Sequence, residues 1–269
     1  MVKITASIRP SGALFAASMI GLGVTGLVNG DFALVWQQIP LDHLPGRTFI
    51  AYLSALVELI TGMGLLLAPT RVLSCRVLFV FLLLWLVLLK LPVLLTAPQV
   101  QESWADFGEI AIIVAGGWCL YASTPGVWEK QRVNFLLGTR GIRAARFLLI
   151  VSLPMIGLDV LVHTYSLPAW LRWVPLQKEW IYLSGIGSLA ACLGLTLGVL
   201  PRLAATMEAA MLGAITIIFW ARELPTGRTA TTAFLISAAI TSGVWVVADT
   251  YRNVPWLKCG PASRAIAID

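Results

Sequence analysis

The chain of 269 residues is hydrophobic at 58% of its positions and charged at only 12%. Soluble domains carry about twice that charged fraction, so the composition excludes an ordinary soluble protein. The formal net charge of +6 does not imply a nucleic-acid partner, because basic loops are drawn to the anionic inner surface of a lipid bilayer.

Apolar runs close to bilayer length recur along the whole chain and predict transmembrane helices. The expected spans are residues 12–28, 49–68, 73–91, 105–122, 145–162, 180–200, 203–221 and 230–248. The first run follows Lys3 and Arg9, but no A-x-A-like cleavage site ends it, so we expect a retained helix rather than a signal peptide. The pattern predicts an all-α, polytopic membrane protein with about eight transmembrane helices.

The two halves of the chain resemble each other at an offset of 130 residues. The aligned stretches are PGRTFIAYLS (45–54) with PLQKEWIYLS (175–184), and Gly64-Leu65 with Gly194-Leu195. Because each half holds four spans, an even number, both halves enter the membrane from the same side, which predicts two parallel four-helix bundle repeats. The expected units are a first repeat at 1–125, a basic cytoplasmic linker at 126–143, a second repeat at 144–252 and a cytoplasmic tail at 253–269.

Basic residues predict the orientation. With a cytoplasmic N-terminus, 13 of the 19 lysine and arginine residues fall in cytoplasmic segments and 6 in the outer ones. The positive-inside rule therefore favours a protein with both termini in the cytoplasm.

Several segments resemble a known family. The first half contains AYLSALVELITGMGLLL (51–67), with a glutamate inside a helix rich in small residues, and a third apolar run that ends in Lys-Leu-Pro at 90–92. The second half contains YLSGIGSL (182–189) and WVVADTYR (245–252). Over nearly its whole length the chain resembles the DoxX-like family of bacterial four-helix membrane proteins, here present twice.

The resemblance implies a multi-pass protein of the bacterial cytoplasmic (inner) membrane. It further implies an accessory or quinone-interacting component of a membrane redox system, with redox subunits as partners and a quinone as ligand. The residues themselves leave a second class open, a small-solute transporter or a structural membrane factor without catalysis, so they do not decide whether the protein is an enzyme.

Ionisable side chains inside a bilayer are costly and mark candidate functional sites. The candidate binding residues are Glu58, Lys90, Glu109, Asp31, Trp36, Gln37, Asp159 and His163. All but Glu58 fall near the outer boundary, where they could line a pocket open to the outside. At the offset of 130 Glu58 corresponds to Ser188, so a reaction that needs this carboxylate would occur once. Glu208 and Asp249 lie near cytoplasmic helix ends, where arginines are the expected partners.

The segment GDFALVWQQIP (30–40) follows the first span and combines an apolar face with two glutamines before a proline. We expect a short interfacial helix or re-entrant cap across the outer mouth of the first bundle, with a counterpart at SLPAWLRWVP (166–175).

Cofactor signatures are not evident. Two histidines, His43 and His163, are too few for a two-haem bundle, and neither a Cys-x-x-Cys pair nor a nucleotide-binding glycine motif occurs, so no metal site is predicted. The four cysteines lie on or near the reducing side, which favours buried structural residues over a disulfide relay.

Overall fold

The computed structural model describes residues 8–32, 46–124, 126, 133–162 and 175–258. These ranges contain helices and no β-strand. Eight helices within them are long and apolar enough to cross a membrane. They are α1 Pro10–Asn29, α2 Arg47–Leu66, α3 Arg71–Thr96, α4 Gln101–Ser123, α5 Gly138–Val162, α6 Gln177–Leu197, α7 Pro201–Leu224 and α8 Arg228–Asp249. The expected all-α, multi-pass membrane protein is confirmed at this level.

Prolines and glycines set several helix ends. Pro10 and Pro201 stand in the first turn of α1 and α7, where a missing N–H costs nothing. Gly30 and Gly198 end α1 and α6 in the left-handed conformation, and their N–H groups donate to the carbonyls of Gly26 and Gly194. Helix α5 begins at Gly138, inside the segment 126–143 that the sequence assigns to the linker.

Two helices contain a π-helical turn, at Leu86–Lys90 in α3 and at Thr216–Trp220 in α7. A π turn adds a residue to the helical repeat and rotates the side chains that follow it. The turn in α3 is followed by Pro92, and the chain remains helical to Thr96, past the end at residue 91 that the apolar run predicts.

The helices form one packed assembly. Each helix packs against the next along the chain, α8 packs against α1, and α4 packs against α8 through the middle. A continuous apolar core joins residues from both halves, such as Phe15, Leu82, Ile112, Leu149 and Val244. Within the apolar stretches of α4 and α8, 67% of the residues are buried, against 22% in α6, so α4 and α8 are central and α6 is peripheral.

The central helices cross where both carry glycine. A Cβ atom on Gly116 would lie 2.6 Å from the Cα atom of Gly243, and a Cβ on Gly243 would lie 3.0 Å from the carbonyl oxygen of Ile112. Only glycine lets the two backbones approach this closely, which is the packing that membrane helices favour.

Opposite ends of the bundle are fastened by different polar contacts. We call the end that holds the α1–α2 connection the Asp31 end, and the other the Asp249 end. At the latter, the Ser11 hydroxyl donates to Asp249 Oδ2 at 2.6 Å, and the Arg146 guanidinium donates to the Thr250 carbonyl and lies 3.7 Å from the centre of the Tyr251 ring. The partner of Asp249 is therefore Ser11, and no arginine of the described ranges pairs with it.

Candidate functional site

An ion pair connects α3 to α4 towards the Asp31 end. Lys90 closes the π turn of α3 and is only 4% exposed. Its Nζ atom donates to Oδ2 of Asp106 on α4 at 2.8 Å. The Asp106 side chain is 42% exposed, so the pair joins a buried ammonium group to a carboxylate near the protein surface. Lys90 thus turns towards α4, whereas a snorkelling lysine would reach for the headgroups.

Two further carboxylates surround this pair. Glu109 lies one turn beyond Asp106 on α4 and interacts electrostatically with Lys90, Asp106 and Asp159 of α5. The structure therefore brings together three of the predicted candidates, Lys90, Glu109 and Asp159, and adds Asp106. We call these four residues the Lys90 cluster. It contains three carboxyl groups and one ammonium group.

Glu109 also borders a cavity of about 380 Å³ where α4, α5, α6, α7 and α8 meet. The polar residues of its lining are Glu109, Ser184, Ser188, Thr216, Thr229 and Ser237. The other lining residues are apolar, apart from the indole of Trp220. An apolar cavity of this size with a few convergent polar groups has the character of a small-molecule site.

The hydroxyl groups of the cavity differ in their free hydrogen-bonding capacity. Ser184 donates to the Ile181 carbonyl, Ser188 to Glu208 Oε1 and Thr216 to the Leu212 carbonyl. Ser237 on α8 makes no hydrogen bond to any residue in the described part of the chain, so its proton remains available to a ligand. The cavity thus offers an acid on α4 and a hydroxyl donor on α8.

Asp31 belongs to a separate cluster that ties three helices together. Its carboxylate lies 3.1 Å from Nη2 of Arg47, the first residue of α2, and 3.4 Å from Nη2 of Arg228, the first residue of α8. Arg228 also donates to the Phe32 carbonyl at 2.8 Å. Burial raises the pKa of Asp31, but the Phe32 N–H and the two guanidinium groups outweigh it and hold that pKa below its ordinary value.

Glu58 lies eleven residues into α2, about 17 Å along the helix at 1.5 Å per residue. It is 2% exposed, and its helix packs against α1 and α3. Gly23 of α1 sits against Ala55 and Leu59, close enough that a Cβ there would meet the backbone of α2. The Glu58 carboxyl group is therefore buried next to a tight α1–α2 contact in the sequence of α2.

Three predicted site residues, Trp36, Gln37 and His163, lie outside the described residues. The same holds for most of both predicted interfacial caps and for His43 and Cys259. Cys75 and Cys119 are buried free thiols, and Cys192 is half-buried. Among the described residues no group of three His, Cys, Asp or Glu side chains is arranged to hold a metal ion.

The sequence reasoning missed Asp106, Arg228 and the contact between Glu208 and Ser188. A signal for Asp106 was present, because Glu102, Asp106 and Glu109 follow the i, i+4, i+7 spacing of one helix face. For Glu208 the expected arginine partner is wrong, since its described partner is the Ser188 hydroxyl, 2.8 Å away.

Comparison of the chain with protein-family models, with curated proteins and with solved structures gave no match.

Proposed function

We propose that the protein binds a quinone headgroup in the cavity beside Glu109, and that it serves as an accessory or quinone-interacting component of a membrane redox system, as the resemblance to DoxX-like proteins suggests. The observation that carries the proposal is the 380 Å³ cavity itself, an apolar space among membrane-spanning helices with an acid and a free hydroxyl in its wall. A quinone has the matching chemistry, because a flat apolar ring carries polar oxygens and reaches the protein through the lipid.

Two residues are the candidates for holding the headgroup. Ser237 would donate its free hydroxyl proton to one ring oxygen, and the Glu109 carboxyl group would bind the other. A bound quinone supplies two-electron, two-proton redox chemistry. Glu109 would exchange protons with the ligand, and the neighbouring Asp106, with a side chain that is 42% exposed, would connect it to water.

The binding test uses the purified protein in lipid nanodiscs and decylubiquinone or menadione as probe. Trp220 lines the cavity, so quenching of tryptophan fluorescence reports occupancy. We expect saturable binding that Glu109→Gln and Ser237→Ala each weaken about tenfold, which corresponds to about 1.4 kcal/mol and the loss of one hydrogen bond. Glu102→Gln is the matched control, because Glu102 is an exposed acid of α4 that does not line the cavity, and it should bind as the unchanged protein does.

The proposal fails if quenching does not saturate, or if Glu109→Gln and Ser237→Ala bind as tightly as the unchanged protein and the Glu102→Gln control. Either result would return the choice to a transporter or a structural membrane factor.

We also propose that the two halves are parallel repeats. An offset of 130 residues relates the π turns Leu86–Lys90 and Thr216–Trp220. The same offset relates Gly46 to Leu176, which precede α2 and α6 in the left-handed conformation with φ of 76° and 57°. The packing of α4 against α8, the fourth helix of each half, is what a pseudo-two-fold axis between them would produce.

For the orientation we propose the bacterial cytoplasmic membrane, with both termini and the Asp249 end on the cytoplasmic side. The distribution of lysine and arginine supports it.

A further inference from the structure

A second cavity, of about 630 Å³, lies between α6 and α7. Its wall is almost wholly apolar and includes Trp180, Met207 and Met211. Leu183 and Met207 at its rim are 53% and 55% exposed, so the cavity opens on the surface that faces lipid. A ligand dissolved in the bilayer can therefore enter it sideways.

One charged residue, Glu208 of α7, is among the described residues that line this cavity. It is 2% exposed and accepts one hydrogen bond, from the Ser188 hydroxyl at 2.8 Å. No lysine, arginine or histidine of the described ranges forms an ion pair with it. Carboxylates inside a membrane are normally paired with a cation, because an isolated charge is costly there.

The chemistry of the cavity selects among ligands. Small hard cations such as Mg²⁺ and Ca²⁺ require six or more oxygen ligands, and this site offers one carboxyl and one hydroxyl group. A neutral lipid tail would fill the apolar space but would offer no partner to the Glu208 carboxyl group. A large organic cation satisfies both features, and the face of Trp180 can add a cation–π contact.

We propose that the α6–α7 cavity binds hydrophobic organic cations, with Glu208 as the counter-charge and Trp180 as an aromatic wall. This site is distinct from the cavity beside Glu109. Ser188 lines the cavity beside Glu109, and its hydroxyl donates to the Glu208 carboxyl group that lines the α6–α7 cavity.

The experiment is equilibrium binding of tetraphenylphosphonium to the full chain in lipid nanodiscs. We expect one saturable site, weakened at least tenfold in Glu208→Gln and less in Glu208→Asp, which keeps the charge. Neutral triphenylphosphine should bind the unchanged protein at least tenfold more weakly, and Glu208→Gln should reduce the preference for the cation. Glu109→Gln should leave tetraphenylphosphonium binding unchanged, which separates this proposal from the quinone site.

A second variant tests the proposal even if Glu208→Gln does not fold. Ala190 lines the cavity and is exposed, so Ala190→Phe fills the space without touching the buried carboxyl group. We expect it to abolish the saturable binding. Equal binding by the unchanged protein, Glu208→Gln and Ala190→Phe, or binding without saturation, would overturn the proposal.

Discussion

At the scale of single residues, the Lys90–Asp106 pair is asymmetric. Lys90 is 4% exposed, whereas the Asp106 side chain is 42% exposed. Removal of the carboxylate leaves an ammonium group buried without its hydrogen-bonded partner, whereas removal of the lysine leaves a carboxylate that water can reach. The cost of breaking a buried ion pair falls on the charge that stays behind.

Asp106→Asn should therefore lower the free energy of unfolding by about 3 kcal/mol, and Lys90→Met by about 1 kcal/mol or less. Methionine nearly matches the length of lysine and suits the apolar surroundings of the lysine stem. Unfolding in a graded detergent series measures both. Equal losses, or a larger loss for Lys90→Met, would contradict the asymmetry.

Residues that stand out in an apolar run are predictable from sequence, and their partners are not. Lys90, Glu109 and Asp159 were expected at one site because each interrupts a span near the same boundary. The partner of Glu208 was not foreseen, because the contact with Ser188 depends on how α6 rotates against α7. Side-chain spacing within one helix does not contain that information.

At the scale of helices, the Asp31 cluster acts as a clamp on α1, α2 and α8. Its carboxylate has a lower pKa in the folded protein than the ordinary 3.8. A lowered pKa means that the clamp stabilises the fold at pH above about 4, and that this contribution disappears as the pH falls from there through the folded pKa.

Asp31→Asn should lower stability by about 1 kcal/mol at neutral pH and should flatten the loss of stability below pH 4. Arg228→Gln, which leaves the contact of Asp31 with Arg47, should change the loss of stability below pH 4 by less. Thermal unfolding from pH 3 to pH 7 provides the measurement. If Asp31→Asn loses stability below pH 4 as the unchanged protein does, another carboxyl group is responsible for that loss.

Helix lengths were predictable where the chain carries an end signal. Asn29-Gly30 ends α1 as the sequence indicates, whereas α3 runs five residues past its predicted end at residue 91, to Thr96. The π turn that precedes this extension lies in Leu-Val-Leu-Leu-Lys, and nothing in these five residues signals a π-helical turn. Lys90, the last residue of the turn, contacts Asp106 of α4, and a single-helix pattern cannot reveal such a contact between helices.

The proposed repeat also allows the buried carboxyl groups of the two halves to be compared. At the offset of 130, Ser188 corresponds to Glu58, and Glu208 corresponds to the buried Leu78. Each half then carries one buried carboxyl group on its second or third helix, contributed by α2 in the first half and by α7 in the second. The carboxyl group of Glu58, which has no equivalent at Ser188, thus has a buried counterpart in Glu208 on a different helix of the second half.

At the scale of the whole molecule, the α4–α8 crossing is one of the contacts that join the two halves, beside those of α1 with α8 and α4 with α5. Gly116→Ala would place a methyl group against the backbone of Gly243, and we expect a loss of about 2 kcal/mol of stability from overpacking. Gly117→Ala is the matched control, because its methyl group would meet only side-chain ends, Leu82 at 3.1 Å and Phe15 at 4.0 Å. In unfolding measurements, Gly116→Ala should be clearly less stable than Gly117→Ala. A reversed order would place the critical contact elsewhere.

The central position of α4 has a consequence for synthesis. Helices α5 and α8 both pack against α4, and both follow it in the chain. Roughly 100 residues separate Ser123, the end of α4, from Arg228, the start of α8. At about 5–20 residues per second, the ribosome needs about 5–20 s to make that stretch. Throughout this interval the glycine surface of α4 faces lipid or the insertion machinery. We therefore expect a chain cut before Arg228 to keep that surface without its α8 partner and to be degraded faster than the full-length chain.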